Sequence, residues 1–116
     1  MTRILRSVDR LISHRFRGFA PLENTIEGMN AALSFGVQYL EFDIRVARCG
    51  TPMIYHDEFA LDAAGKRHLI YDVMASDFAV LGGRFSTIPT AEDLFNAASI
   101  HPQTSAKLLV DIKDAG

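Results

Sequence analysis

A chain of 116 residues with a formal charge of −2, 48% hydrophobic and 22% charged residues and no tryptophan has the composition of an ordinary soluble globular domain. The negative balance and the lack of any Lys/Arg cluster argue against nucleic-acid binding, which needs a basic surface to displace counterions from phosphates. The length suffices for one domain with a hydrophobic core, but is about half of the ~250 residues typical of a (β/α)8 barrel.

The stretch from Met1 to Ile12 is broken by Arg3, Arg6, Asp9 and Arg10, which leaves no apolar run for a signal peptide or a transmembrane segment. Arg10 to Arg15 then reads as a short buried strand ending at His14. A loop from Phe16 to Asn24, with Gly18 and Pro21, leads to Asn24-Thr25, either of which can cap a helix, and Asn24 with Glu27 resembles a capping box. Ile26, Met29, Ala32 and Leu33 recur at helical spacing, and Gly36 is placed to end that helix in a left-handed conformation.

Val37 to Val46 is the clearest strand, because Leu40, Phe42 and Ile44 alternate with Glu41, Asp43 and Arg45. Arg48-Cys49-Gly50-Thr51 turns the chain into a third strand, Pro52 to Asp57. Cys49 is alone, so no intrachain disulfide forms, and a reducing compartment, the cytoplasm, is expected. A loop or small hairpin around Gly65 and a weak helical stretch near Ser76 to Leu81 follow. Thr90 caps another helix with Ala91, Leu94, Phe95 and Ala98 as its apolar stripe, and Ala106 to Lys113 makes a fourth strand.

Strands alternating with helices predict an α/β fold of parallel βαβ units, with all four strand ends on one side of the sheet. His14, Glu41, Asp43, His56, Asp57, Asp111 and Lys113 then gather at one edge, where parallel α/β folds bind ligands. Strand alternation puts Glu41 and Asp43 on one face, about 7 Å apart. An exposed strand would show the same pattern, but a parallel sheet covered on both faces needs partners for its charges, and a divalent ion supplies one. Glu41, Asp43 and Asp111 offer oxygen ligands suited to Mg²⁺ or Ca²⁺ rather than zinc. Two histidines that titrate near neutrality can move protons, Arg15 and Lys113 can hold phosphate, and Asp57 can fix the His56 tautomer. Glu23, just before the cap, can order its loop. His68 and His101 read as surface residues.

His14-Arg15, Glu23-Asn24-Thr25, Glu41-Phe42-Asp43, His56-Asp57, Ile88-Pro89-Thr90 and Val110-Asp111-Ile112-Lys113, in that order from Ile12 to Lys113, resemble the glycerophosphodiester phosphodiesterase family. The resemblance implies a TIM-barrel phosphodiesterase of the phospholipase C-like type. It would use a divalent cation to split glycerophosphodiesters into sn-glycerol 3-phosphate and an alcohol. By match, His14 and His56 form the acid/base pair, Glu41, Asp43 and Asp111 the metal ligands, Arg15 and Lys113 the phosphate contacts, and Glu23 a supporting group at the pocket edge. Phe16, Leu22 and Asp111 depart from the family's usual glycine, proline and glutamate.

The expectation is one domain over residues 1–116, equivalent to the N-terminal half of the barrel, with a missing C-terminal half or a homodimer completing it. The rival readings are a half barrel that only binds metal or phosphate, or serves assembly, and a related lipid phosphodiesterase.

Overall fold

The computed structural model describes residues 12–15, 22–102 and 106–113, with the side chains of Ile12, Ser13 and His14 outside that description. The expected loop at 16–21, with Gly18 and Pro21, also lies outside it. The chain forms β1 (Ile12–His14), α1 (Ile26–Phe35), β2 (Tyr39–Val46), β3 (Pro52–Ile54), β4 (Phe59–Leu61) and β5 (Arg67–Leu69). Three 3₁₀ turns flank α2 (Phe78–Leu81), and α3 (Ala91–Ile100) leads into β6 (Lys107–Ile112). The architecture is mixed α/β.

Both long helices begin on a threonine. Thr25 Oγ1 accepts the Gly28 N–H at 3.1 Å and Thr90 Oγ1 accepts the Asp93 N–H at 3.0 Å, each satisfying a donor that the first turn leaves orphaned. The first cap is therefore Thr25 and not Asn24, and the Asn24/Glu27 capping box does not form. Gly36 closes α1 at φ 97°; its N–H reaches the Leu33 carbonyl while that of Val37 reaches Ala32, the paired bonds of a Schellman motif.

β2 is the spine of the main sheet. β1 runs parallel to it with Ile12 opposite Tyr39 and His14 opposite Glu41, and β6 runs parallel with Tyr39 opposite Lys107 through Ile44 opposite Ile112. Carbonyls along and just before β2 sort by parity: Gln38 accepts from Lys107 and Ile44 from Lys113 on one side, Glu41 from Arg15 and Asp43 from Tyr55 on the other. β1 and β3 thus share one edge of β2, and β6 takes the other.

The third strand departs from expectation. β3 is antiparallel to β2, with Ile44 opposite Ile54 and Val46 opposite Pro52. A parallel return needs a crossover of a dozen or more residues, and the chain has only a tight turn, closed by Ala47 N–H to the Thr51 carbonyl and by Gly50 at φ 91°. Three strands among the described residues, β1, β2 and β6, are parallel, and these residues close no barrel.

Leu40, Phe42 and Ile44 on one face of β2 pack with Met29, Ala32, Leu33, Ile54 and Leu94 in one core. A second core gathers Met53, Tyr55, Ala60, Ile70, Val73, Phe78, Phe85 and Ile88 beneath the β4–β5 hairpin. There the Phe78 and Phe85 rings meet edge to face at 5.0 Å. β6 stays exposed along its length, including Leu108, Val110 and Ile112. No helix among the described residues is long and apolar enough to cross a membrane.

Candidate active site

The polar face of β2 carries the site. Glu41 and Asp43 project from alternate positions, and the β2–β6 register sets Asp111 directly beside Asp43. Oxygens of Glu41, Asp43 and Asp111 lie within 4.8 Å of one another, so the three carboxylates expected to act together do meet. Their donors are all hard carboxylate oxygens, a set that fits Mg²⁺ or Ca²⁺ and suits zinc poorly.

Asp43 is 1% exposed, and its charge is met from three sides. Arg15 Nε lies 3.2 Å from Oδ2, a charge contact with the N–H aimed off the oxygen; Lys113 Nζ lies 3.9 Å from Oδ1; and Asn24 Nδ2 donates to Oδ2 at 3.1 Å. The buried Asn24 also accepts the Asp43 backbone N–H on its Oδ1 at 3.2 Å. Lys113 Nζ reaches Asp111 Oδ2 at 2.9 Å. That hydrogen bond holds the Asp111 carboxyl below the usual aspartate range, assisted by the charges of Lys113, His56 and Arg15. The same contact, with the charges of Asp111 and Asp43, raises the Lys113 ammonium.

Arg15 follows β1 in a left-handed conformation at φ 56°, its N–H on the Glu41 carbonyl at 2.6 Å and its Nη1 3.4 Å from Glu23 Oε2. Its carbonyl accepts the N–H of Asn24, itself left-handed at φ 57°. Two unusual backbone conformations thus accompany the placing of Arg15 and Asn24 on Asp43, with Glu23 beside Arg15. The Glu23 carbonyl further accepts from Arg84, whose guanidinium lies 4.9 Å above the Tyr55 ring.

His56 arrives by a route the sequence does not suggest. β2 runs on past its last pairing with β6 at Ile44, the chain turns back through β3, and the Tyr55 N–H meets the Asp43 carbonyl at 3.1 Å. The following residue, His56, is thereby returned to the level of the carboxylates. Its Nδ1 lies 2.7 Å from Asp57 Oδ1; an N–H at Nδ1 donating to that carboxylate leaves Nε2 for proton transfer. The His14 backbone stands opposite Glu41, while its side chain lies outside the described residues.

Asn24 escapes a reading of the sequence, because an Asn before a helix is a good cap and nothing local shows its bond to Asp43. His68 is not a surface residue: it is half-buried, 2.8 Å from Asp62 Oδ2 and edge-on to Phe85. His101 is partly exposed and meets Ser34 at 3.1 Å, away from the carboxylates.

The sequence model of the Glycerophosphoryl diester phosphodiesterase family matches residues 12–114. A chloroplastic glycerophosphodiester phosphodiesterase of Arabidopsis thaliana is 34% identical over 77 residues, covering 62% of this chain and 21% of the relative. The crystal structure of a glycerophosphodiester phosphodiesterase from Thermotoga maritima superposes with a TM-score of 0.74 at 24% identity, over 90% of this chain and 44% of that one. An Oleispira antarctica phosphodiesterase, solved in complex with the product sn-glycerol-3-phosphate, gives 0.70 at 26% identity, over 91% of this chain and 45% of that one. The chain therefore spans about a fifth of the Arabidopsis relative and under half of the two solved chains.

Proposed function

This chain belongs to the Glycerophosphoryl diester phosphodiesterase family, and from that premise we propose that it supplies the N-terminal part of a (β/α)8 barrel whose site hydrolyses glycerophosphodiesters to sn-glycerol 3-phosphate and an alcohol. The observation that carries the reading is the meeting of Glu41, Asp43 and Asp111 oxygens within 4.8 Å, flanked by the cations Arg15 and Lys113. Such a cluster is suited to both halves of a phosphodiester reaction: oxygens for a cation and cations for a phosphate.

In this reading Glu41, Asp43 and Asp111 hold Mg²⁺ or Ca²⁺, which when bound polarises a phosphoryl oxygen and lowers the pKa of an attacking hydroxyl. Arg15 and Lys113 bind the phosphate oxygens, Arg15 as a planar fork and Lys113 as a point charge. His56 works through Nε2, with its Nδ1 held by Asp57, and His14 is the second member of the pair. One accepts a proton from the nucleophile while the other delivers one to the departing alkoxide. Glu23 orients Arg15. The free Cys49 supports a reducing compartment, the cytoplasm, as the location in this reading.

The test is release of glycerol 3-phosphate from glycerophosphocholine with Mg²⁺ or Ca²⁺. His14→Ala and His56→Ala should each lower turnover by about 10²-fold or more. Turnover that is the same in both variants as in the parent would sink the assignment. A second reading, a module that binds cation or phosphate without turnover, draws on the exposed apolar side chains of β6 and predicts Mn²⁺ binding with no product in the same assay.

A further inference from the structure

Arg45 follows Glu41 and Asp43 on the same face of β2, yet none of the roles above uses it. Its Nε donates to the His56 carbonyl at 2.9 Å, and its Nη1 reaches the Lys113 carbonyl at 3.4 Å. These two acceptors lie on opposite sides of the spine, because His56 follows β3 on one edge of β2 and Lys113 follows β6 on the other. The guanidinium therefore spans β2 and ties together the two segments that carry His56 and Lys113.

Each end is already held by one backbone bond and completed by Arg45. The Tyr55 N–H is fixed on the Asp43 carbonyl, and Arg45 takes the carbonyl of the following residue, His56; the Lys113 N–H is fixed on the Ile44 carbonyl, and Arg45 takes Lys113's own. A guanidinium suits this task, since its several N–H groups diverge in one plane and its charge strengthens bonds to carbonyls. A lysine in its place would reach one carbonyl at a time.

Resting on the proposed phosphodiesterase reading, we infer that Arg45 is a positioning residue that sets the separation between the proton-transfer group His56 and the phosphate contact Lys113. It acts on the two backbones and touches neither reacting group, so its loss shifts the alignment of the reaction and leaves the carboxylate cluster intact. Misplacement by an ångström at a reacting centre costs up to about 10²-fold in rate.

The experiment compares the parent protein with Arg45→Met and Arg45→Lys in glycerophosphocholine turnover, Mn²⁺ affinity by calorimetry and amide hydrogen exchange. Arg45→Met should lower kcat by about 10- to 100-fold with KM and Mn²⁺ affinity within about twofold of the parent. Exchange should rise at residues 55–57 and 112–113 and stay unchanged in α1 and α3. Arg45→Lys should recover part of the kcat. Unchanged kcat in an active parent would overturn the inference alone, as would a fall in kcat matched by loss of Mn²⁺ affinity and exchange rising throughout the fold. A parent that binds Mn²⁺ without turnover would overturn the phosphodiesterase reading and this inference with it.

Discussion

Asn24 and Asp43 are joined twice, amide nitrogen to carboxylate at 3.1 Å and amide oxygen to backbone N–H at 3.2 Å, with both residues essentially inaccessible to water. The pair fixes the carboxylate's rotamer as well as its place along β2, because one side chain grips both ends of the same residue. Asn24→Ala leaves a buried N–H and a buried carboxylate oxygen short of a partner, a loss of about 1–3 kcal/mol. Asn24→Gly removes the same bonds but tolerates φ 57° without a Cβ, so it should unfold at a higher urea concentration than Asn24→Ala. Urea midpoints equal to the parent's in both variants would show that the pair contributes nothing.

The Lys113–Asp111 contact makes a prediction about charge. The Asp111 carboxyl is held low chiefly by the Lys113 hydrogen bond, so Lys113→Met should let it rise toward the ordinary aspartate value of about 3.9. Carboxyl carbon shifts followed by NMR across the acid range read this directly. An Asp111 titration that stays where it is in the parent would mean that Lys113 is not the cause. The same variant should raise KM for glycerophosphocholine, since the proposed phosphate contact is lost.

β2 is readable from sequence because its alternation is long and uninterrupted, and α1 and α3 are readable because each carries a threonine cap ahead of an apolar stripe. The direction of β3 depends on the connection and not on the strand: Pro52 to Ile54 is apolar in either sense, and only the shortness of the turn from Arg48 to Thr51 demands an antiparallel return. The meeting of Glu41 and Asp43 with Asp111 follows from parallel strands and strand alternation, so it was accessible to a careful reading. The bond from Asn24 to Asp43 was not, because it joins residues 19 apart through a left-handed backbone that an Asn accepts but does not require. Arg45 is hidden for a like reason: its acceptors are backbone carbonyls, which every residue has.

The β4–β5 hairpin should respond to acid. Asp62 Oδ2 meets His68 Nε2 at 2.8 Å, and Oδ1 accepts the Ala64 and Lys66 N–H groups across the turn. The His68 hydrogen bond is the largest of the influences that hold the Asp62 carboxyl below its usual range. A carboxyl whose folded value is depressed adds stability that is complete above its unfolded value, about 3.9, and is lost as pH falls through the folded value. Thermal melts of the parent should therefore decline more steeply below about pH 4 than those of Asp62→Asn, whose amide does not titrate. Parallel declines would remove Asp62 from the account.

Cys49 gives the sharpest pH test. Its Sγ lies 3.0 Å from Thr51 Oγ1 in an exposed turn, and the thiol is lowered to about 7, chiefly by that hydroxyl, with backbone bonds from Ala75 and Thr51 adding to it. A hydrogen bond donated to sulfur stabilises the thiolate, the form that attacks an alkylating reagent. The rate of iodoacetamide labelling should therefore rise with a midpoint near 7 in the folded protein. Urea-unfolded protein should show the ordinary thiol midpoint of about 8.5. Thr51→Val removes the hydroxyl while keeping a β-branched side chain, and should move the folded midpoint upward toward the unfolded one. A folded midpoint already equal to the unfolded, or one that ignores Thr51→Val, would show that the turn does not stabilise the thiolate.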